Sequence, residues 1–294
     1  MKRLENFNVI VYHGYCPDGF TSAWVAQKFW IRKNPNLNFK KELKMVHASH
    51  EGNLIDPPEW AHGADILFVD FMYPVTLMQK FKDIANNVFV IDHHTHTEER
   101  CKELLIHYVY DVNKSGATLT WDTYFPETLA PWFLKYIEAG DLWRWGVLPW
   151  DKVITRALYS YPQSKDNFDK FENSSPDDFK NLLVEGNAFL RKQDEEVKRI
   201  CCRSSIIELC GYSVPVVNAH EYISEVGHVL AKDNPSCPFA ACYWDDLKKG
   251  VRIWSLRSNT DDFNVASLCK TMGGGGHPRA AGFSTTLDMR GITL

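Results

Sequence analysis

The stretch Val88-Phe89-Val90-Ile91-Asp92-His93-His94 joins four apolar residues directly to a carboxylate and two imidazoles. An unbroken apolar run of this length suits a strand buried on both faces, as in a parallel sheet. The same pattern stands twice upstream. Val9-Ile10-Val11-Tyr12 stops at His13-Gly14 and is followed by helix-compatible residues from Thr21 through Trp30. Ile66-Leu67-Phe68-Val69 ends on Asp70. A lone aspartate after a strand is commonly a turn or helix cap. Three strand ends presenting Asp or His exceed what capping explains, and they suit the crevice where open α/β sheets hold ligands.

Working outward, Ser115 through Tyr124 opens a further helix, and Pro131 sits in the first turn of another that runs to Gly140 near Asp141. Leu142-Trp143-Arg144-Trp145 then forms either a core-lining loop, the plainer reading, or an aromatic wall beside a substrate. The polar stretch from Gln163 to Asp178 is read as surface loop and helix-start material, and a long helix follows to Ile200 with Pro176 after Ser175 at its start. Beyond Gly211 the texture changes to short strand candidates at Val214–Val217, Phe239–Tyr243 and Val251–Trp254, then a brief helix from Asp262 to Lys270. The expected architecture is α/β: an N-terminal parallel-sheet domain over residues 1–195, and a smaller C-terminal mixed α/β domain over residues 205–294.

The formal net charge of −4 argues against the extended positive footprint of a long-duplex binder. It leaves room for a short anionic substrate, since bound cations can supply local positive charge. Eight cysteines include adjacent Cys201-Cys202 and show no repeated C-x-x-C spacing, which makes a zinc finger a poor competitor and favours reduced thiols. Met1 to Asn6 runs straight into the first strand pattern, and no apolar stretch has membrane-spanning length. The expected setting is cytoplasmic, without a membrane partner.

His13, Asp18, Asp70, the triplet Asp92-His93-His94 and Asp141 combine carboxylate oxygen with imidazole. That donor set suits Mn²⁺, with Co²⁺ or Mg²⁺ as alternatives. Asp70, between the other ligands, is the choice for a carboxylate shared by two ions. Late in the chain, Gly273-Gly274-Gly275-Gly276-His277-Pro278-Arg279 offers backbone amides, an imidazole and a guanidinium to an anion, and Arg257 lies between Ser255 and Ser258.

In order, these motifs resemble the DHH-superfamily phosphoesterases, named for the triplet found here as Asp92-His93-His94. The resemblance includes Cys16-Pro17-Asp18-Gly19-Phe20-Thr21-Ser22-Ala23, Asp70, Asp141, Ser255-Leu256-Arg257-Ser258 and the run from Gly273 to Gly282. It implies a DHH domain with a DHH-associated C-terminal domain, substrate held across their cleft, and two divalent ions, commonly Mn²⁺. Carried onto this chain, His13 and Asp70 would help hold one ion, and Asp18, Asp70, His93 and Asp141 the other. His94 would contact substrate, Asp92 would support the loop, and Gly274, Gly275, Gly276 and His277 would face phosphate, with Arg257 and Arg279 as further anion contacts.

One departure stands out. Many members place an acidic ligand two residues before the position of Asp18, where this chain has Cys16. The spacing from His13 to Asp18 is also one residue shorter than the common pattern. Cys16 is open to two readings, a thiolate ligand for a softer ion or an apolar packing residue. The expected reaction is P–O hydrolysis in a short oligonucleotide or small nucleotide phosphodiester, with Asp70 and His94 at the centre. The alternatives are a pyrophosphatase or polyphosphatase, and a nonenzymatic nucleotide-binding module.

Overall fold

The computed structural model describes residues 5–49, 54–260 and 262–287, and the expectations placed on Met1 to Leu4 lie outside them. The chain divides into two compact units, residues 1–189 and 190–294, within a long helix.

In the first unit the elements run β1 (Val9–His13), α1 (Pro17–Lys33), α2 (Phe39–Glu42), β2 (Lys44–Ala48), β3 (Asp65–Val69), α3 (Val75–Ile84), β4 (Asn87–Asp92), α4 (Thr97–Leu104), β5 (His107–Tyr110), α5 (Gly116–Tyr124), α6 (Leu134–Asp141), α7 (Asp151–Ser160) and α8 (Lys165–Glu172). The long helix α9 (Pro176–Cys201) leads into the second unit. The five strands form one sheet in the order β2-β1-β3-β4-β5, and every pairing is parallel. This order reverses direction between β1 and β3. The crevice at such a switch point, outside the carboxyl ends of the strands, is where open α/β sheets bind ligands.

The apolar runs alternate between two cores. Ile10, Leu67, Val69, Phe89 and Ile91 face a layer built from α1, α5, α6, α7 and α8. Val9, Val11, Ile66, Phe68 and Val90 face α3 and α4 through Leu77, Met78, Phe81, Cys101 and Leu104. Burying both sides of each strand contributes about 1.5–3 kcal/mol per large side chain, which is why the runs carry no polar alternation.

Two local expectations change. The polar stretch from Gln163, expected as surface loop and helix start, contains the whole of α8, which buries Phe168 and Phe171 against Trp24 and Phe133. Ser164 caps α8 through the amide of Asn167. α6 begins at Leu134 rather than in the turn of Pro131, though it ends at Asp141 as expected. Ser115 caps α5 through the amide of Thr118, and Ser175 and Asp178 exchange hydrogen bonds at the start of α9.

The second unit continues with β6 (Ser205–Leu209), β7 (Tyr212–Asn218), α10 (Ile223–Asp233), β8 (Ala240–Asp246), β9 (Val251–Arg257), α11 (Val265–Thr271), β10 (Gly275–His277) and β11 (Ala280–Thr286). Its six strands lie in the order β10-β11-β9-β8-β7-β6, antiparallel except for the β7–β8 pair. α11 packs on one face with Val214, Trp254 and Leu256, and α10 on the other with Val217, Ala240 and Cys242. No described helix is long and apolar enough to cross a membrane.

Candidate metal centre

The carboxyl ends of β1, β3 and β4 converge as the parallel order requires. Asp70 follows β3 in the left-handed backbone region, at φ 53°. Non-glycine residues enter that region at a cost of about 1–2 kcal/mol, which Asp tolerates better than most. Its carboxylate is 1% exposed, and its two oxygens face different imidazoles: Oδ2 lies 3.5 Å from His13 Nδ1, and Oδ1 lies 3.2 Å from His93 Nε2. His93 Nε2 also lies 3.5 Å from Asp141 Oδ2, at the end of α6.

Asp18, in the first turn of α1, is pinned from a distant element. Its Oδ2 accepts from the amide of Gly116 at 2.7 Å, and its Oδ1 from the amide of Ala117 at 3.1 Å. These are amides left without helical partners at the start of α5, where the helix dipole also favours negative charge. Gly116 is required there by contact: a Cβ would sit 2.7 Å from Asp70 Cβ and 2.9 Å from Asp18 Oδ2.

The residues therefore gather as His13, Cys16 and Asp70 in one group, and Asp18, His93 and Asp141 in a second, with ligand atoms of each group within 4.8 Å of one another. Asp70, Asp92, His93 and His94 form a third such group, in which Asp92 is committed to hydrogen bonds within its own loop. Asp92 is fully buried. Its Oδ1 accepts from the amides of His93 and His94 at 2.8 and 3.3 Å and lies 2.7 Å from His94 Nδ1, while its Oδ2 accepts from the Thr97 hydroxyl. Asp92 thus holds the loop and turns the imidazole of His94.

The electrostatics follow from burying acids beside imidazoles. Burial would raise the Asp70 carboxyl, but His13, His93 and His94 hold it well below the usual carboxylate range. Burial opposes protonation of His93, yet Asp70, Asp141 and Asp18 push it up to about 10. Burial raises Asp141 to about 6 against the pull of His93, and burial with Asp70 and Asp141 pushes Asp18 well above its ordinary value. Burial also raises the Cys16 thiol, reinforced by Asp70, Asp141 and Asp18.

Both Asp70 oxygens, His93 Nε2 and Asp141 Oδ2 are buried without a hydrogen bond of proper geometry. Leaving a buried polar atom unsatisfied costs about 1–3 kcal/mol, more for a charged group. Four such atoms converging among carboxylates fit divalent cations, which would take up these lone pairs and balance the charge.

The Trp143 segment departs from its plainer reading. Trp143 is 38% exposed rather than core, with φ 54°, and meets Trp145 edge-on at 5.4 Å. Lys152 and Arg156 stand over the Trp145 ring at 5.7 and 6.0 Å. The segment directly follows Asp141, so its aromatic surface adjoins the ligand cluster along the chain.

In the second unit, strand register places His277, Ala280 and Arg257 side by side on β10, β11 and β9. Directly opposed residues share a sheet face, and two strand spacings separate Arg257 from His277 by roughly 10 Å. Arg257 donates to Ser255 Oγ, Leu256 O and Ser224 Oγ at 2.8, 2.9 and 3.0 Å. The glycine run is not wholly a loop: Gly275 and Gly276 belong to the edge strand β10, so pairing with β11 engages part of their backbone. Gly274 precedes that strand, and the Arg279 side chain is exposed in the turn that follows it. Gly276, at φ 141°, approaches Ala280 O too closely for a side chain.

Sequence reading missed Thr97 and the start of α5 as parts of this centre. A hydroxyl at the first position of α4, five residues after Asp92, was the available signal for Thr97. The Ser115-Gly116-Ala117 helix start was legible, but its partner Asp18 was not.

No protein-family profile matches the chain. It is 27% identical over 291 residues to an uncharacterized protein of Acanthamoeba polyphaga mimivirus, covering 95% of this chain and 68% of that protein. It is 28% identical over 174 residues to the oligoribonuclease NrnB of Bacillus subtilis (strain 168), covering 52% of this chain and 39% of that enzyme. Among solved structures, the pGpG-specific phosphodiesterase PggH from Vibrio cholerae aligns over 97% of this chain and 95% of its own, with a TM-score of 0.49 and 13% identity. In the order of its motifs, its parallel-sheet unit and its clustered strand-end ligands, the chain resembles the DHH-superfamily phosphoesterases.

Proposed function

We propose that this chain hydrolyses a P–O bond in a short oligonucleotide or small nucleotide phosphodiester, using two divalent ions that share Asp70. The observation that carries this reading is the Asp70 carboxylate, whose two oxygens face imidazoles from two different strands. His13 and Asp70 would hold one ion; Asp18, Asp70, His93 and Asp141 would hold the other, with Mn²⁺ the best match to a mixed oxygen and imidazole set. Such a pair supplies an acidified water and neutralises the attacking and leaving oxygens.

The chain's own residues do the rest. Asp92 and Thr97 fix the loop so that His94 keeps one ring edge toward Asp92 and offers the other to a phosphate oxygen. The amides at the start of α5 hold Asp18 in place. Exposed Trp143 supports a base-bearing substrate through stacking. Arg257, fixed by three hydrogen bonds, together with His277, Gly274 to Gly276 and Arg279, supports phosphate recognition in the second unit. The net charge of −4 supports a short substrate over a long duplex. NrnB, an oligoribonuclease by name, supports the same class.

The test is metal-stripped protein titrated with Mn²⁺ against dinucleotides, longer single strands, cyclic dinucleotides, pyrophosphate and polyphosphate. Turnover should favour the shortest nucleotide substrates, and Asp70→Asn should abolish it while the circular dichroism spectrum is retained. Preference for pyrophosphate or polyphosphate would move the substrate to the inorganic class. Absence of turnover on every substrate with Mn²⁺, Co²⁺ and Mg²⁺ would refute the enzyme in favour of a binding module.

A further inference from the structure

Cys16 precedes α1 at its cap position, with extended backbone at φ −108° and ψ 124°, and its side chain makes no capping hydrogen bond. Caps are ordinarily Ser, Thr, Asp or Asn, because an oxygen there satisfies helix amides. The thiol instead lies with His13 and Asp70 in one group of potential ligand atoms, all within 4.8 Å of one another. Asp70 Oδ2, on the His13 side of that carboxylate, is buried without a hydrogen bond.

We infer that Cys16 is a thiolate ligand, so that the two ion positions differ in hardness. Sulfur, imidazole and carboxylate give the His13–Cys16–Asp70 position three protein ligands of the kind that bind Zn²⁺, Co²⁺ or Fe²⁺. Asp18, Asp70, His93 and Asp141 give the other position an oxygen-rich set suited to Mn²⁺ or Mg²⁺. The protein would therefore carry a mixed pair, with a borderline ion beside Cys16 and a hard ion beside Asp141. On binding, the S–H proton leaves to solvent and the sulfur lone pair forms the bond to the cation, with no change of oxidation state. This inference rests on the two-ion reading above.

The test is the full chain, stripped of metal under reducing conditions and titrated with Co²⁺ while the near-ultraviolet sulfur-to-cobalt charge-transfer band and the visible cobalt bands are followed. Wild type should develop the charge-transfer band, and Cys16→Ser should lose it while keeping visible cobalt bands from the second position. Zn²⁺ should displace that band at concentrations at least about ten-fold lower than Mn²⁺ or Mg²⁺ requires. Iodoacetamide labelling of wild type, mapped to the Cys16 peptide by mass spectrometry, should be suppressed by Zn²⁺, which gives a readout free of any folding defect in the variant. Visible cobalt bands in wild type without charge transfer, together with unprotected Cys16, would overturn the thiolate and leave the two-ion reading standing. Absence of any cobalt signal in wild type would overturn both.

Discussion

Replacing Gly116 by Ala adds one methyl group where α5 meets the two central carboxylates. The new Cβ would lie 2.7 Å from Asp70 Cβ, 2.9 Å from Asp18 Oδ2 and 3.0 Å from Asp70 Oδ1. Ordinary carbon contacts begin near ~3.5 Å, so something must move by about 0.8 Å. Little there moves freely: Asp70 is buried at a left-handed backbone position, and the Gly116 amide is tied to Asp18. Overpacking of this kind costs about 1–3 kcal/mol, partly offset by the gain of roughly 0.8–1 kcal/mol from replacing Gly by Ala in a helix. The net loss of stability is therefore small, between about zero and 2 kcal/mol. The effect on function is larger, because displacing reacting groups by about 1 Å can lower a rate about 100-fold. Chemical denaturation in the presence of chelator, Mn²⁺ affinity by calorimetry, and turnover on a dinucleotide separate the two effects. Folded G116A with wild-type Mn²⁺ affinity and wild-type turnover would refute the claim that α5 positions the ligands.

Two other substitutions probe the supports of the centre. Thr97→Val keeps the side-chain shape but removes the hydroxyl that donates to buried Asp92; it should cost about 1–3 kcal/mol and lower kcat more than it raises KM, as urea denaturation and steady-state kinetics can show. Phe168→Ala empties a buried position that packs at 5.0 Å against Phe20, two residues from Asp18. A loss of about 3–5 kcal/mol is expected, whereas a loss below about 1 kcal/mol in chemical denaturation would mean that α8 is not part of the core.

The sequence by itself determined the parallel-sheet strands and their reactive endings, because burial on both faces leaves an unbroken apolar run that stops abruptly at His13, Asp70 and Asp92. The helix starts at Ser115 and Ser175 were equally local, since a hydroxyl or carboxylate satisfies amides within the next few residues. Phe168 and Phe171 were hidden in a polar segment, because two aromatic residues three apart carry little periodicity until a partner surface exists. The glycine run disguised β10, which gains its strand geometry only by pairing with β11. Only the tertiary structure decided how the ligands divide. The strand order sets His13 beside Asp70, and packing of α5 on α1 brings the amide of Gly116 to Asp18 across 98 residues of chain. Cys16 shows the same division: its identity was plain from the start, but its neighbours, His13 and Asp70, come together only when β1 and β3 lie side by side.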